Sequence, residues 1–169
     1  MKAQSAGILL YRKNGGAVEV LLVHPGGPFW AKKDLGSWSV PKGEFAENEA
    51  PLAAARREFS EETGSPAPDG DYQALGEAKQ SSGKVVHVFA LEHDLDLSGF
   101  KSNLFEMEWP PKSGTKQSFP ECDQAAWVPL AQATQKLVKG QVLFVERLAA
   151  ALQISLVAAS APPTQASLF

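Results

Sequence analysis

Cysteine is almost missing from this chain: Cys122 stands alone among 169 residues. A single thiol closes no internal disulfide, and no Cys/His spacing of the zinc-binding kind occurs. That excludes a disulfide scaffold and fits a reducing compartment. Cationic runs are missing too. The 16 Lys and Arg are outnumbered by 19 Asp and Glu, for a net charge of −3. Broad electrostatic binding to duplex nucleic acid is therefore not expected, although a small anion gripped locally remains open. Uninterrupted apolar runs are equally scarce. QVLFVERLAAALQISLVAA is broken by Glu146, Arg147 and Gln153, so it reads as an amphipathic packing helix and not a membrane span. AGILLY, near the start, is shorter than a signal-peptide core. Cytoplasmic is the expected location.

The residues that are present suffice for one continuous core over 1–158, read as a single domain, with 159–169 (SAPPTQASLF at its end) as a frayed tail. Ser5–Arg12 and Val18–His24 are apolar or alternating runs flanking KNGG, which predicts an antiparallel hairpin. PGGPFWAKKDLGSW reads as a long loop and SWSVP as a brief strand ended by Pro41. A helix then starts at Pro51 and stops at Gly64, with Leu52, Ala55 and Phe59 as its apolar stripe. DYQALGEAKQ and KVVHVFALEHDL read as strands joined at SSG, NLFEMEW as a short strand, PPKSGTKQSFPE as loop and QAAWVPL as a strand. Leu130–Leu137 and Gln141–Ala158 read as helices. Strands around one early and one late helix predict an α+β sandwich.

The informative stretch is GEFAENEAPLAAARREFSEETG, from Gly43 to Gly64. Its end would ordinarily be a solvated charged helix face. Yet Glu58, Glu61 and Glu62 stand at i, i+3 and i+4, so they share one patch and repel. They also occupy the last turn, where the helix dipole disfavours negative charge. A divalent cation resolves both conflicts, and oxygen-only ligands favour Mg²⁺ first and Mn²⁺ next.

The register of Gly43, Glu49, Arg57, Glu58, Glu61, Glu62 and Gly64 resembles the Nudix box at every polar and glycine position. Seven specified residues at roughly one in fifteen each match by chance about once in 10⁸ start sites. Ser65 departs from the pattern, which usually has an aliphatic residue there. The resemblance, which extends over most of Ala6–Leu152, implies a Nudix-type α/β/α sandwich with a mixed β-sheet. It also implies Mg²⁺-dependent hydrolysis of a phosphoanhydride, usually in a nucleoside diphosphate linked to another group. Glu58, Glu61 and Glu62 then look like metal ligands, joined by the Gly43 carbonyl, while Arg57 and Glu49 resemble the pair that braces loop against helix. The family commonly draws a further carboxylate from a later loop ahead of a tryptophan. Glu121, six positions before Trp127, is preferred over Glu106 and Glu108. The general base is left open among Glu121, Glu61 and Glu62.

Lys42, Lys32 and Lys33 are candidate phosphate contacts, with solvated surface as the alternative. Trp30, Phe29 and Trp38 could stack on a base, although Trp38 equally suits the core. His24 and His87 are expected to be structural, and Cys122 is assigned no nucleophilic role. WSVPKGE looks like the branch that cleaves dinucleoside and diphosphoinositol polyphosphates. The tyrosine of some dinucleoside polyphosphate enzymes is absent, as are the ADP-ribose proline and the extended NADH motif. The alternatives are a non-catalytic Nudix domain that binds a nucleotide or RNA as a sensor, and a phosphatase of broad specificity. Sensor domains usually lose box carboxylates, and here all are kept. The expected partner is a small nucleotide, with no membrane and an open oligomeric state.

Overall fold

The computed structural model describes residues 3–156; the proposed tail at 159–169 lies outside them. Strands β1 (Gln4–Asn14) and β2 (Ala17–Pro25) form the expected antiparallel hairpin, with Asn14 opposite Ala17. Two further strands, β4 (Gln73–Lys79) and β5 (Val85–Glu92), pair antiparallel beside it, and β5 runs parallel to β1. Strand β8 (Cys122–Pro129) closes the other side on β2, so the sheet runs β4-β5-β1-β2-β8 and is mixed.

Alternation along β1 builds a core on each face. Ala6, Ile8 and Leu10 point to one side and meet helix α1 (Pro51–Thr63) through Ala54, Ala55 and Phe59. Leu9 points to the other side, joining Val20 and Leu22. That second core packs on α2 (Leu130–Lys136) and α3 (Val142–Ala151) through Leu130, Phe144 and Leu148. Helices on both faces of a mixed sheet make the expected α/β/α sandwich. Phe59 is fully buried, a contribution of about 2–3 kcal/mol. Helix α1 is punctuated as expected, with Pro51 in its first turn and Gly64 left-handed at φ 78°, its N–H donating to the Ser60 carbonyl. Its buried stripe uses Ala54 where Leu52 was expected; Leu52 is only half-buried.

Three expectations need correction. SWSVP is not a strand: it makes only isolated bridges, Val23 to Ser39 and Trp38 to Leu137. The strand lies just after it, at β3 (Lys42–Phe45), which pairs antiparallel with the start of β1. PPKSGTKQSFPE is not all loop, because β7 (Lys116–Pro120) pairs with β6 (Leu104–Glu108) as a separate two-stranded sheet. The helix expected over Gln141–Ala158 is interrupted: α3 ends at Ala151 and Gln153 has φ 58°, while residues 157 and 158 lie outside the described residues. No helix among the described residues is long and apolar enough to cross a membrane.

Candidate functional site

β3 brings Gly43 under the last turns of α1. A Cβ on Gly43 would overlap the Glu58 carboxylate, so glycine is what lets strand and carboxylate approach this closely. Arg57 organises the patch. Its Nη2–H and Nε–H donate to the two Glu49 oxygens at 2.9 and 3.0 Å, a bidentate brace between the loop before α1 and the helix. Its Nη1–H donates to Glu58 Oε2 at 2.7 Å and to Glu61 Oε2 at 3.3 Å. One guanidinium thus stands between two of the three crowded carboxylates. Among the described residues no three acidic, histidine or cysteine side chains already converge as a metal cage.

The carboxylates differ in exposure. The Glu58 side chain is 14% exposed and that of Glu61 39%. Burial raises the Glu58 carboxyl above its ordinary value, Arg57 opposes this, and the charges of Glu61 and Glu121 push it further up. Burial likewise raises Glu62, to about 7. The Lys42 amide, donating to Glu62 Oε1 at 3.1 Å, the Lys42 charge and the Cys122 thiol all work against that rise. The Arg57 guanidinium is held firmly charged, chiefly by Glu49.

This gives a stability prediction with a definite sign. Glu62 binds its proton more tightly folded, near 7, than at its ordinary 4.5. The folded state therefore holds more protons between those values, and metal-free stability falls as pH rises through that window. The loss attributable to Glu62 is on the order of 2 kcal/mol. Urea unfolding at about pH 5 and about pH 7.5, wild type against Glu62→Gln, measures it, and equal slopes in both proteins would refute the assignment.

Glu121, exposed at the start of β8, joins this neighbourhood. Its N–H donates to Asn103 O and its carbonyl accepts from Gly26 N–H, while Asn103 N–H donates to Glu61 O. Its rival Glu108 is committed to its own turn, accepting from Lys112 N–H at 3.2 Å and Gly114 N–H at 2.8 Å. Glu106 is exposed on the same hairpin. Cys122 is buried beside Glu62, and burial pushes its thiol far up, which fits the absence of a nucleophilic role.

The flanking candidates separate. Lys42 and Trp30 line one pocket of about 360 Å³, together with Gln80, Lys84 and Gln141. Lys32 and Lys33 line a different pocket of about 530 Å³, with His24, Trp38 and Asp123. Trp38 belongs to the core and donates its Nε1–H to Asp34 Oδ1 at 2.7 Å. Phe29 sits edge-on to Trp109 at 5.3 Å. His24 is hydrogen-bonded at both ring nitrogens: Nε2–H donates to Lys33 O at 2.6 Å, and Nδ1 is hydrogen-bonded to Asp123 at 2.8 Å. His87 is half-buried and hydrogen-bonded through Nε2 to Gln4 Oε1 at 2.7 Å. Ser65, the departure from the box, is half-buried and donates its N–H to Thr63 Oγ1. Lys84 and Gln141 were not anticipated. The turn signal at SSG marked where Lys84 lies, but only tertiary packing brings it opposite Lys42.

The NUDIX domain family model matches residues 1–148. An RNA pyrophosphohydrolase of Bartonella henselae is 30% identical over 145 residues, covering 75% of this chain and 76% of that protein. The NUDIX domain of Shewanella oneidensis NrtR, solved with ADP ribose, superposes with a TM-score of 0.61 at 18% identity, over 90% of this chain and 89% of that one. The Ap4A hydrolase of C. elegans gives 0.59 at 21% identity, over 89% of this chain and 98% of that one. The family match and the curated relative together support a Nudix pyrophosphohydrolase. The chain belongs to the NUDIX family.

Proposed function

We propose that this chain hydrolyses a phosphoanhydride bond in a nucleoside polyphosphate, or in a nucleoside diphosphate linked to another group, with Mg²⁺ as cofactor and Mn²⁺ as a substitute. The observation that carries the reading is the crowding of Glu58, Glu61 and Glu62 on one helix end, against a glycine that only a missing Cβ keeps open. The fit to a hard divalent ion rests on the donor set. These are oxygen donors whose burial, and secondarily mutual repulsion, raises Glu58 and Glu62, and a cation would offset both by favouring the charged carboxylates. Glu58, Glu61, Glu62, Glu121 and the Gly43 carbonyl would hold it. When bound, such an ion neutralises charge on the pyrophosphate and acidifies water.

The protein's own groups do the rest. A carboxylate takes the proton of the attacking water as it approaches phosphorus in line. Glu61 is the most accessible candidate in the box, while Glu62 has one oxygen engaged by the Lys42 amide. Glu121, in the bend between β7 and β8, is the third candidate. Arg57 holds Glu49, Glu58 and Glu61 in register, a positioning role. Lys42 and Trp30 line one pocket, where they would contact phosphate and stack on a base, and Lys32 would add charge from the neighbouring pocket. The lone buried thiol suits the cytoplasm. Retention of every box carboxylate favours hydrolysis over sensing.

The test is a panel: nucleoside di-, tri- and tetraphosphates, dinucleoside polyphosphates, ADP-ribose and 5′-triphosphorylated RNA, each with Mg²⁺ or with EDTA. Mg²⁺-dependent release of a phosphate product from at least one supports the reading. No turnover of any overturns it.

A further inference from the structure

The segment that leads into Gly43 has no ladder of its own. Over residues 37–41 the chain makes isolated bridges only, yet Trp38 and Val40 are buried, so its backbone polar groups need partners away from water. Three neighbours supply them. Val23 of β2 exchanges both main-chain hydrogen bonds with Ser39 at 2.9 Å, and the Ile8 N–H of β1 donates to the Pro41 carbonyl at 3.2 Å. The third partner is a side chain. Gln141, 2% exposed at the entry to α3, accepts the Val40 N–H on Oε1 at 2.9 Å and donates Nε2–H to Ser39 Oγ at 3.1 Å. The Ser39 hydroxyl in turn donates to the Val40 carbonyl at 2.8 Å.

Gln141 is itself held in place. Gln80, just after β4, donates Nε2–H to the Gly140 carbonyl at 3.1 Å, and a Cβ on Gly140 would overlap that carboxamide. On the other side, two residues past Val40, the Lys42 N–H donates to Glu62 Oε1 at 3.1 Å, and Gly43 follows against the Glu58 carboxylate. Little between them can absorb a shift. Pro41 has its φ fixed by its ring, and a Cβ on Gly7 would overlap the Pro41 carbonyl, so the backbone is pressed against β1. A displacement at Val40 therefore passes on to Lys42 and Gly43.

We propose that Gln141 is a positioning residue of the carboxylate site: acting through Val40, it sets where the Lys42 amide meets Glu62 and where Gly43 meets Glu58. This rests on the hydrolase reading above, in which Glu62 and the Gly43 carbonyl hold the cation. The Lys42 amide engages one Glu62 oxygen and leaves the other to the ion. Loss of supporting bonds of that kind weakens metal affinity about 10–100-fold. The task needs an acceptor and a donor on one side chain of this length, which glutamine carries. Methionine is of similar length and offers neither.

Three measurements on the full chain test it, with Val145→Ala as the comparison. Val145 is buried on α3 and has no part in these hydrogen bonds, so its truncation lowers the melting temperature and spares the site. Hydrogen exchange followed by NMR should show the Lys42 amide about tenfold less protected in Gln141→Met than in wild type or Val145→Ala. Calorimetry should show Mn²⁺ bound about tenfold more weakly by Gln141→Met and unchanged by Val145→Ala. On a nucleotide that wild type turns over, at saturating Mg²⁺, Gln141→Met should lower kcat about tenfold with KM held, and Val145→Ala should change neither. Wild-type Lys42 protection or Mn²⁺ affinity in Gln141→Met, or losses that Val145→Ala reproduces, would overturn the assignment. If wild type turns over no substrate, the hydrolase reading fails, and hydrogen exchange still decides whether Gln141 places the Lys42 amide.

Discussion

Glu61→Gln is expected to lower kcat on the best nucleotide substrate by about 10²–10⁴-fold, the range that a positioned proton acceptor supplies. It should leave the melting temperature almost unmoved. Gln keeps the size of Glu and removes only charge. What Glu61 gives to stability is one exposed contact to Arg57 at 3.3 Å, of a kind worth at most about 1 kcal/mol, set against its repulsion of Glu58. Catalytic and structural roles therefore separate cleanly here. Steady-state kinetics with Mg²⁺, run beside a thermal melt, makes the comparison. Wild-type turnover in Glu61→Gln would remove Glu61 from the machinery, and a collapsed melt would make it a structural residue.

Gly43→Ala should be nearly as damaging by a different route. The added Cβ would sit on the Glu58 carboxylate, forcing it off its 2.7 Å hydrogen bond from Arg57. The clash is with the end of a flexible side chain, which can swing away. Stability should therefore fall by only about 1 kcal/mol. Activity should drop about 100-fold, because the displaced carboxylate no longer faces its neighbours. The double variant Gly43→Ala/Glu58→Ala sharpens the test. It should recover the stability lost in Gly43→Ala and recover no activity. If Gly43→Ala retains full turnover, the close approach of β3 to Glu58 has no functional weight.

The elements legible in the sequence are those with local punctuation. The β1–β2 hairpin announces itself by KNGG between apolar runs, and α1 by Pro51 and Gly64. β3 escaped because four residues, KGEF, carry no alternating pattern; it exists through pairing with the start of β1. β7 escaped for a similar reason, since KQSFP is polar and its order comes from β6. SWSVP misled in the opposite direction. Its valine and aromatic read as strand, yet Pro41 has no N–H for a ladder, and the segment wedges between β2 and the end of α2.

The candidate site divides in the same way. Glu58, Glu61, Glu62, Arg57 and Glu49 lie within one helix and its lead-in, where spacing alone predicts a shared patch. The brace between Arg57 and Glu49, expected from the resemblance to the Nudix box, is present. Glu121 is preferred in the sequence through the family's habit of drawing a carboxylate from a loop ahead of a tryptophan; in the structure it stands just before β8, whereas Glu108 is spent on its own turn. Lys32 was grouped with Lys42 by nearness in sequence, but the loop carries it into a second pocket. Lys84 was passed over because its partners, Glu44 and the pocket, are distant in sequence. Side chains gathered by the sheet, and not by the helix, needed the structure.

The central claim is that the carboxylates at the end of α1 hold a divalent cation. Calorimetric titration of Mn²⁺ into purified wild type and Glu58→Gln tests it without any substrate. Wild type should bind the ion saturably, and Glu58→Gln should bind it at least about tenfold more weakly at an unchanged fold. Equal affinity in the two proteins, or no binding by wild type, would contradict the account.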